Sequence, residues 1–182
     1  MTLVLLSAVF AVAGRRRRPL VLATVLVTPA LAGKWINHYR PDVLPREVFF
    51  LTGLLFVVFV VVHLLRFVLR APRVNSEVLC AGISTYLMMG ILWGFAYALV
   101  AGLVPGSFAF TVGPASNRSM VGFNTIYFSF VTLSTVGYGD IIPVSGVARM
   151  LAIAEAMVGM FYVTLLIARL VALYSSESPS MR

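Results

Sequence analysis

Residues 132–140 read Thr132-Leu133-Ser134-Thr135-Val136-Gly137-Tyr138-Gly139-Asp140. Gly137 and Gly139 sit at alternate positions, and the other residues from Ser134 to Gly139 are hydroxyl-bearing, β-branched or aromatic. For successive carbonyls to point the same way, some residues must enter left-handed backbone geometry, which glycine does cheaply. Thr135 can add its hydroxyl oxygen at the end of such a row. The flanks fit as well. Val121 to Leu133 is a short apolar helix candidate, about 20 Å long and unable to cross the roughly 30 Å hydrocarbon core of a bilayer. After the stretch comes Pro143, then an apolar run from Gly146 to Tyr174 that is long enough to cross.

Composition sets the class independently. The 182 residues are 60% hydrophobic and only 11% charged, with a mean hydropathy of +0.99. A soluble domain of this size cannot hide that much apolar surface, so most of the chain belongs in a bilayer. The net charge of +8 does not point to nucleic acid, because the arginines fall in short clusters between apolar runs, as they do in cytoplasmic loops. The lone Cys80 excludes an intrachain disulfide framework and is expected as a small core residue. There is no nucleotide loop, no His/Cys metal spacing and no nucleophile with a partnered base, so no enzyme is expected and no small-molecule substrate.

Along the chain, Met1 to Ala13 and Leu20 to Gly33 are two apolar runs separated by Arg15-Arg16-Arg17-Arg18. In a secretory signal the charges precede the apolar run, and here they follow it. A helical hairpin over 1–33 is expected, its tip carrying the arginines and its stems reaching the interface by snorkelling. Residues 34–47 are polar and punctuated by Pro41 and Pro45. Residues 48–70 form a full-length span, β-branched and aromatic all round, ending in His63, Arg66 and Arg70, with Arg73 just beyond. The next span is 77–103, with Gly82, Gly90 and Gly94 at helix-contact spacing. Residues 104–119 are rich in Pro, Gly and Ser and are expected as a loop.

Thr135-Val136-Gly137-Tyr138-Gly139, with its flanks, resembles the potassium-channel pore family, over roughly Glu77 to Tyr174. The resemblance implies an all-α membrane protein, a transmembrane helix bundle with a re-entrant pore helix (121–133) and a selectivity filter (135–139) between an outer helix (77–103) and an inner helix (146–174). One filter strand cannot enclose an axis, so a homotetramer in membrane lipid is implied. Thr135, Val136, Gly137 and Tyr138 would offer oxygens to dehydrated K+, the one ion cofactor expected. Val136 and Tyr138 would point away from the axis and wedge the filter against the pore helix. Residues 1–73 would be a sensor-like but charge-poor region, and 175–182 a short cytoplasmic tail with no attached ligand-binding domain.

With the filter facing outside, both arginine clusters fall on the cytoplasmic side, as the positive-inside rule asks. A multi-pass protein of the inner, cell membrane is expected. The span 48–70 stands where a voltage-sensing helix would, yet Arg66 and Arg70 both lie at its inner end, and a sensor needs arginines through the membrane.

Further residues acquire roles by register with the family. Tyr127 and Phe128 resemble an aromatic pair that braces the filter. Val131 stands where some channels carry a carboxylate paired with the residue at Asp140, so Asp140 lacks that partner and is expected to cap local amides at the outer mouth. Gly159, twenty residues after Gly139, falls at the position of an inner-helix hinge, where close packing is the alternative. Glu155 is an ionisable group inside a membrane helix, hence functional or paired. It is expected to tie the back of the filter through Ser129, Thr132, Ser134 or Tyr162. Thr164, Ile167, Ala168 and Val171 are candidates for lining the inner cavity, and Arg169 for an interfacial anchor. The function implied is passive, potassium-selective conduction without steep voltage gating. The rivals are a nonselective cation channel, against which Tyr138 argues, a potassium-uptake transporter subunit, which would carry four degenerate loops, and a non-conducting regulatory subunit.

Overall fold

The computed structural model describes residues 46–72, 75–114 and 118–176. The expected hairpin over 1–33 and the end of the tail lie outside the described residues. Four helices and two short strands follow in order: α1 (Arg46–Arg70), α2 (Ser76–Leu103), β1 (Phe108–Phe110), α3 (Phe123–Leu133), β2 (Ile141–Pro143) and α4 (Gly146–Ser176). Three of these helices, α1, α2 and α4, are long and apolar enough to cross a membrane, and α3 is not. At 25, 28 and 31 residues the three reach about 38–46 Å.

Local chemistry starts and stops each helix. Asn75 caps α2, its side-chain oxygen accepting from the Val78 amide at 3.0 Å, and Glu77 lies in the first turn, at the positive end of the helix dipole. The Ser145 hydroxyl accepts from the Ala148 amide at 3.2 Å and opens α4. α3 begins after Gly122, whose φ of +63° suits a residue without a Cβ.

α2 is the hub. Against α1 it packs Phe95 over Gly53, where an added Cβ would come within 2.7 Å of the ring. Phe56, Val57 and Val60 complete that core. The three glycines expected to make helix contacts do so with different partners. Gly82 faces Leu166 of α4, while Gly90 and Gly94 face Phe130 and Ile126 of α3. Small residues let backbones approach where lipid provides no hydrophobic drive. A second core holds Tyr97, Met120, Phe128 and Ile141.

Two expectations are corrected. The stretch 104–119 is not wholly loop: Phe108–Phe110 pairs antiparallel with Ile141–Pro143, Ala109 opposite Ile142. Three-residue strands leave almost no periodic signal, and the partner lies beyond α3. Cys80, in the second turn of α2, is exposed rather than buried. His63 stacks on Phe59, one turn away, with ring centroids 6.2 Å apart.

α4 differs from the other spans. Only 11% of its membrane-length window is buried, against 39% for α1 and for α2. Most of its exposed residues are apolar, including Met150, Ile153, Met157 and Phe161.

Candidate functional site: the pore loop and its supports

The loop begins where α3 runs out of amide partners. The Ser134 amide donates to the Phe130 carbonyl at 3.0 Å and the Thr135 amide to Thr132 at 2.9 Å. The Val131 carbonyl then accepts twice, from Val136 at 2.9 Å and Gly137 at 3.3 Å. The first half of the filter is thereby stapled to the C-terminal turn of α3, whose unpaired carbonyls need donors. These amides point at α3, which leaves the carbonyls of the loop facing elsewhere.

Three residues hold positive φ: Thr135 at 58°, Gly137 at 57° and Gly139 at 76°. The glycines stand where the sequence places the need. Thr135 is an addition, since a β-branched residue in this region is strained and no sequence rule points to it. Left-handed residues at every second position turn successive carbonyls to one side. Nothing lies within 4 Å of the place a Cβ would take at Gly137 or Gly139. The constraint at both is conformational, not steric.

From Ser134 to Gly139 every residue is exposed. Val136 and Tyr138 do not wedge against their own pore helix; they are 52% and 72% exposed. Any burial of these two side chains requires a surface beyond the described residues of one chain.

The outer end is tied twice. The Tyr127 hydroxyl donates to Asp140 Oδ2 at 2.8 Å, and Asp140 Oδ1 accepts from the Ile141 amide at 3.0 Å. Tyr127 takes the place of the carboxylate that Val131 does not supply. The bond to Asp140 raises the Tyr127 phenol above its ordinary 10.0. Thr111, just past β1, donates from its hydroxyl to the Gly139 carbonyl at 2.9 Å and from its amide to Asp140 at 2.9 Å. Phe128 does not join Tyr127 in bracing the filter. It turns to another face of α3 and meets Tyr97 and Phe108 edge-on, at centroid distances of 4.8 and 5.4 Å. Adjacent residues on a helix point about 100° apart, so one faces the filter and the other the core.

Behind the loop, Glu155 is fully buried. Tyr97 of α2 donates to its Oε2, and Ser129 of α3 lies 2.5 Å from its Oε1. Ser129 also lies 2.7 Å from the Gly90 carbonyl. Of the four partners expected from sequence, Ser129 is the one reached. Tyr162 instead donates to the Gly82 carbonyl at 2.7 Å, and Ser134 to Phe130 at 2.6 Å. Tyr97 was not foreseen, although a Tyr in an apolar span carries a hydroxyl that must find a polar partner.

Gly159 lies against the end of α3, where a Cβ would come within 2.4 Å of the Leu133 carbonyl. Close packing therefore accounts for the glycine. Below the loop is a cavity of about 260 Å³ lined by Tyr86, Ser134, Thr135, Gly159, Met160 and Thr164, among others. Thr164, one of the four cavity-lining candidates, lies there; Tyr86, from α2, was not foreseen. Ile167, Ala168 and Val171 are exposed further along α4. Arg169 donates to the Ala71 carbonyl at 2.9 Å, anchoring α4 to the end of α1.

The profile of a family described as Ion channel matches residues 78–176. Protein LctB of Bacillus caldotenax is 37% identical over 102 residues, 54% of this chain and 74% of that protein. Protein LctB of Geobacillus stearothermophilus is 38% identical over 84 residues, 44% of this chain and 62% of that one. Two pore potassium channel c of Oryza sativa subsp. japonica is 34% identical over 86 residues, 47% of this chain but only 16% of the rice protein. No solved structure matches. The residues matched by the family profile are those that build the loop, its short helix and the two long helices around it, and this membrane chain belongs to the ion channel family as a member with a single pore loop.

Proposed function

We propose that the chain is the subunit of a homotetrameric, potassium-selective channel that conducts K+ passively across the cell membrane. The observation that carries this is the alternation of left-handed residues at Thr135, Gly137 and Gly139, in a loop whose amides are stapled to α3. Such a backbone presents a row of carbonyl oxygens, with the Thr135 hydroxyl at its inner end, that can replace the water of a dehydrating cation. A rice relative bearing the name potassium channel supports the choice of ion. The exposure of Val136 and Tyr138 and the unburied apolar face of α4 favour assembly around an axis. Symmetric closure with four copies would surround the ion on all sides.

In this assembly Thr135, Val136, Gly137 and Tyr138 hold K+, and the cavity bounded by Thr135 and Thr164 is the inner vestibule. Glu155 serves as a tie behind the filter. Its partners are two neutral hydroxyls, and the Ser129 hydroxyl has one proton for two neighbouring oxygens, Gly90 O and Glu155 Oε1. A neutral carboxyl closes the chain: Tyr97 donates to Glu155, Glu155 to Ser129, and Ser129 to Gly90. An ionised carboxylate here would carry an uncompensated buried charge costing several kcal/mol.

The deciding measurement is the reversal potential of the purified protein in planar bilayers under bi-ionic potassium/sodium conditions. A strongly displaced reversal potential is expected. A value near zero would make the protein a nonselective cation channel, and absence of current under all conditions would favour a non-conducting subunit.

A further inference from the structure

Thr111 stands 28 residues before Gly139 in the chain, one position past β1. Its amide bond to the Asp140 carbonyl at 2.9 Å continues the β1–β2 ladder beyond Phe110 and Ile141. Its hydroxyl bonds the Gly139 carbonyl at 2.9 Å and lies 3.3 Å from that of Asp140. Two successive main-chain carbonyls at the outer end of the filter are thus held by one residue of a different loop.

That end has little else to restrain its backbone. Gly139 has φ +76°, no side chain of its own, and no atom within 4 Å of the place a Cβ would take. Glycine peptides rotate at low conformational cost. The bonds from Tyr127 and Ile141 hold the carboxylate of Asp140; they do not reach the carbonyl of Gly139.

We propose that Thr111 is a positioning residue for conduction, holding the Gly139 carbonyl through its hydroxyl and thereby keeping the external end of the filter in its conducting shape. This rests on the potassium-channel function proposed above. Without the hydroxyl, the Gly139 peptide is free to rotate, and the outermost oxygens lose their common direction. A potassium ion bound at the outer end restrains the adjoining Tyr138 carbonyl, and with it the backbone that leads into Gly139. External potassium should therefore substitute for the missing bond.

The test compares wild type, Thr111→Ser and Thr111→Val as full-length protein in planar bilayers. Thr111 is exposed, so the valine variant removes a hydroxyl without opening a core. The expected result is a current that decays about fivefold faster in Thr111→Val at low external potassium, the factor equivalent to about 1 kcal/mol for one hydrogen bond. Raising external potassium should close that gap, and Thr111→Ser should behave as wild type. The initial reversal potential should be the same in all three. Decay of Thr111→Val at the wild-type rate at every external potassium would overturn the proposal, as would a serine variant that decays like valine. If the valine variant carries no current, the potassium dependence of tetramer thermal stability decides. A requirement for more potassium than wild type supports the role, and an unchanged dependence overturns it. A wild type without potassium current would overturn the channel function itself, and with it this role.

Discussion

Glu155 and Gly137 show two different ways in which one residue is tied to a structure. Glu155 is fixed by its partners on α2 and α3, Tyr97 and Ser129. Glu155→Gln keeps one acceptor for Tyr97 and one donor for Ser129, so tetramer stability and potassium flux should be close to wild type. Glu155→Val leaves the Tyr97 hydroxyl buried without its acceptor, at about 1–3 kcal/mol per subunit. Its tetramers should melt at lower temperature and its flux should fall. If valine matched wild type while glutamine failed, the residue would act through charge and the tie would be wrong. At Gly137, by contrast, nothing lies within 4 Å of where a Cβ would stand, and what calls for glycine is the φ of +57°. Gly137→Ala should cost about 1–2 kcal/mol per subunit in left-handed strain and abolish flux, while the protein still inserts as a helical membrane protein by circular dichroism.

Among the elements, α4 approaches α3 closely at one glycine. Its Gly159 meets the Leu133 carbonyl, so a methyl group there forces α4 and α3 apart at the level of the filter. Overpacking of this kind costs about 1–3 kcal/mol. Gly159→Ala should lower tetramer stability and conduction together. Gly146→Ala is the control, because nothing lies within 4 Å of that position and the residue opens the same helix. Equal effects of the two substitutions would show that helix stiffness, not contact, is the property that matters. At its other end α4 is held by Arg169 on the Ala71 carbonyl, and this couples the inner helix to the junction between α1 and α2.

For the molecule as a whole, the distribution of charge limits what can gate it. One charge crossing the full field yields about 2.3 kcal/mol per 100 mV, so steep voltage dependence needs several charges within the membrane. In α1 the arginines beyond the first residue are Arg66 and Arg70, both exposed near its C-terminal end. Conductance of the purified protein should change only shallowly with voltage. A curve as steep as that of a full sensor would contradict this and point to the arginines at 15–18.

The class of the protein and the course of its chain were legible in the sequence, because hydropathy and length are properties of contiguous segments. So were the left-handed positions at Gly137 and Gly139, since glycine is chosen by local backbone geometry. Thr135 was not legible as left-handed, because its strain is imposed by amides stapled to α3 rather than by its own preference. Glu155 announced a need for a partner by standing in an apolar helix, and Ser129 was within the set that could meet it. Which groups met it was decided by packing: Tyr97 lies 58 residues away, and its approach depends on how α2 crosses α4. The same holds for Thr111, for the β1–β2 pair and for the division of labour between Tyr127 and Phe128. Each is a contact between segments distant in the chain, and no period or motif in one segment encodes the position of the other. Sequence fixes what each residue can offer or must find; only the tertiary structure determines which partner is within hydrogen-bonding reach.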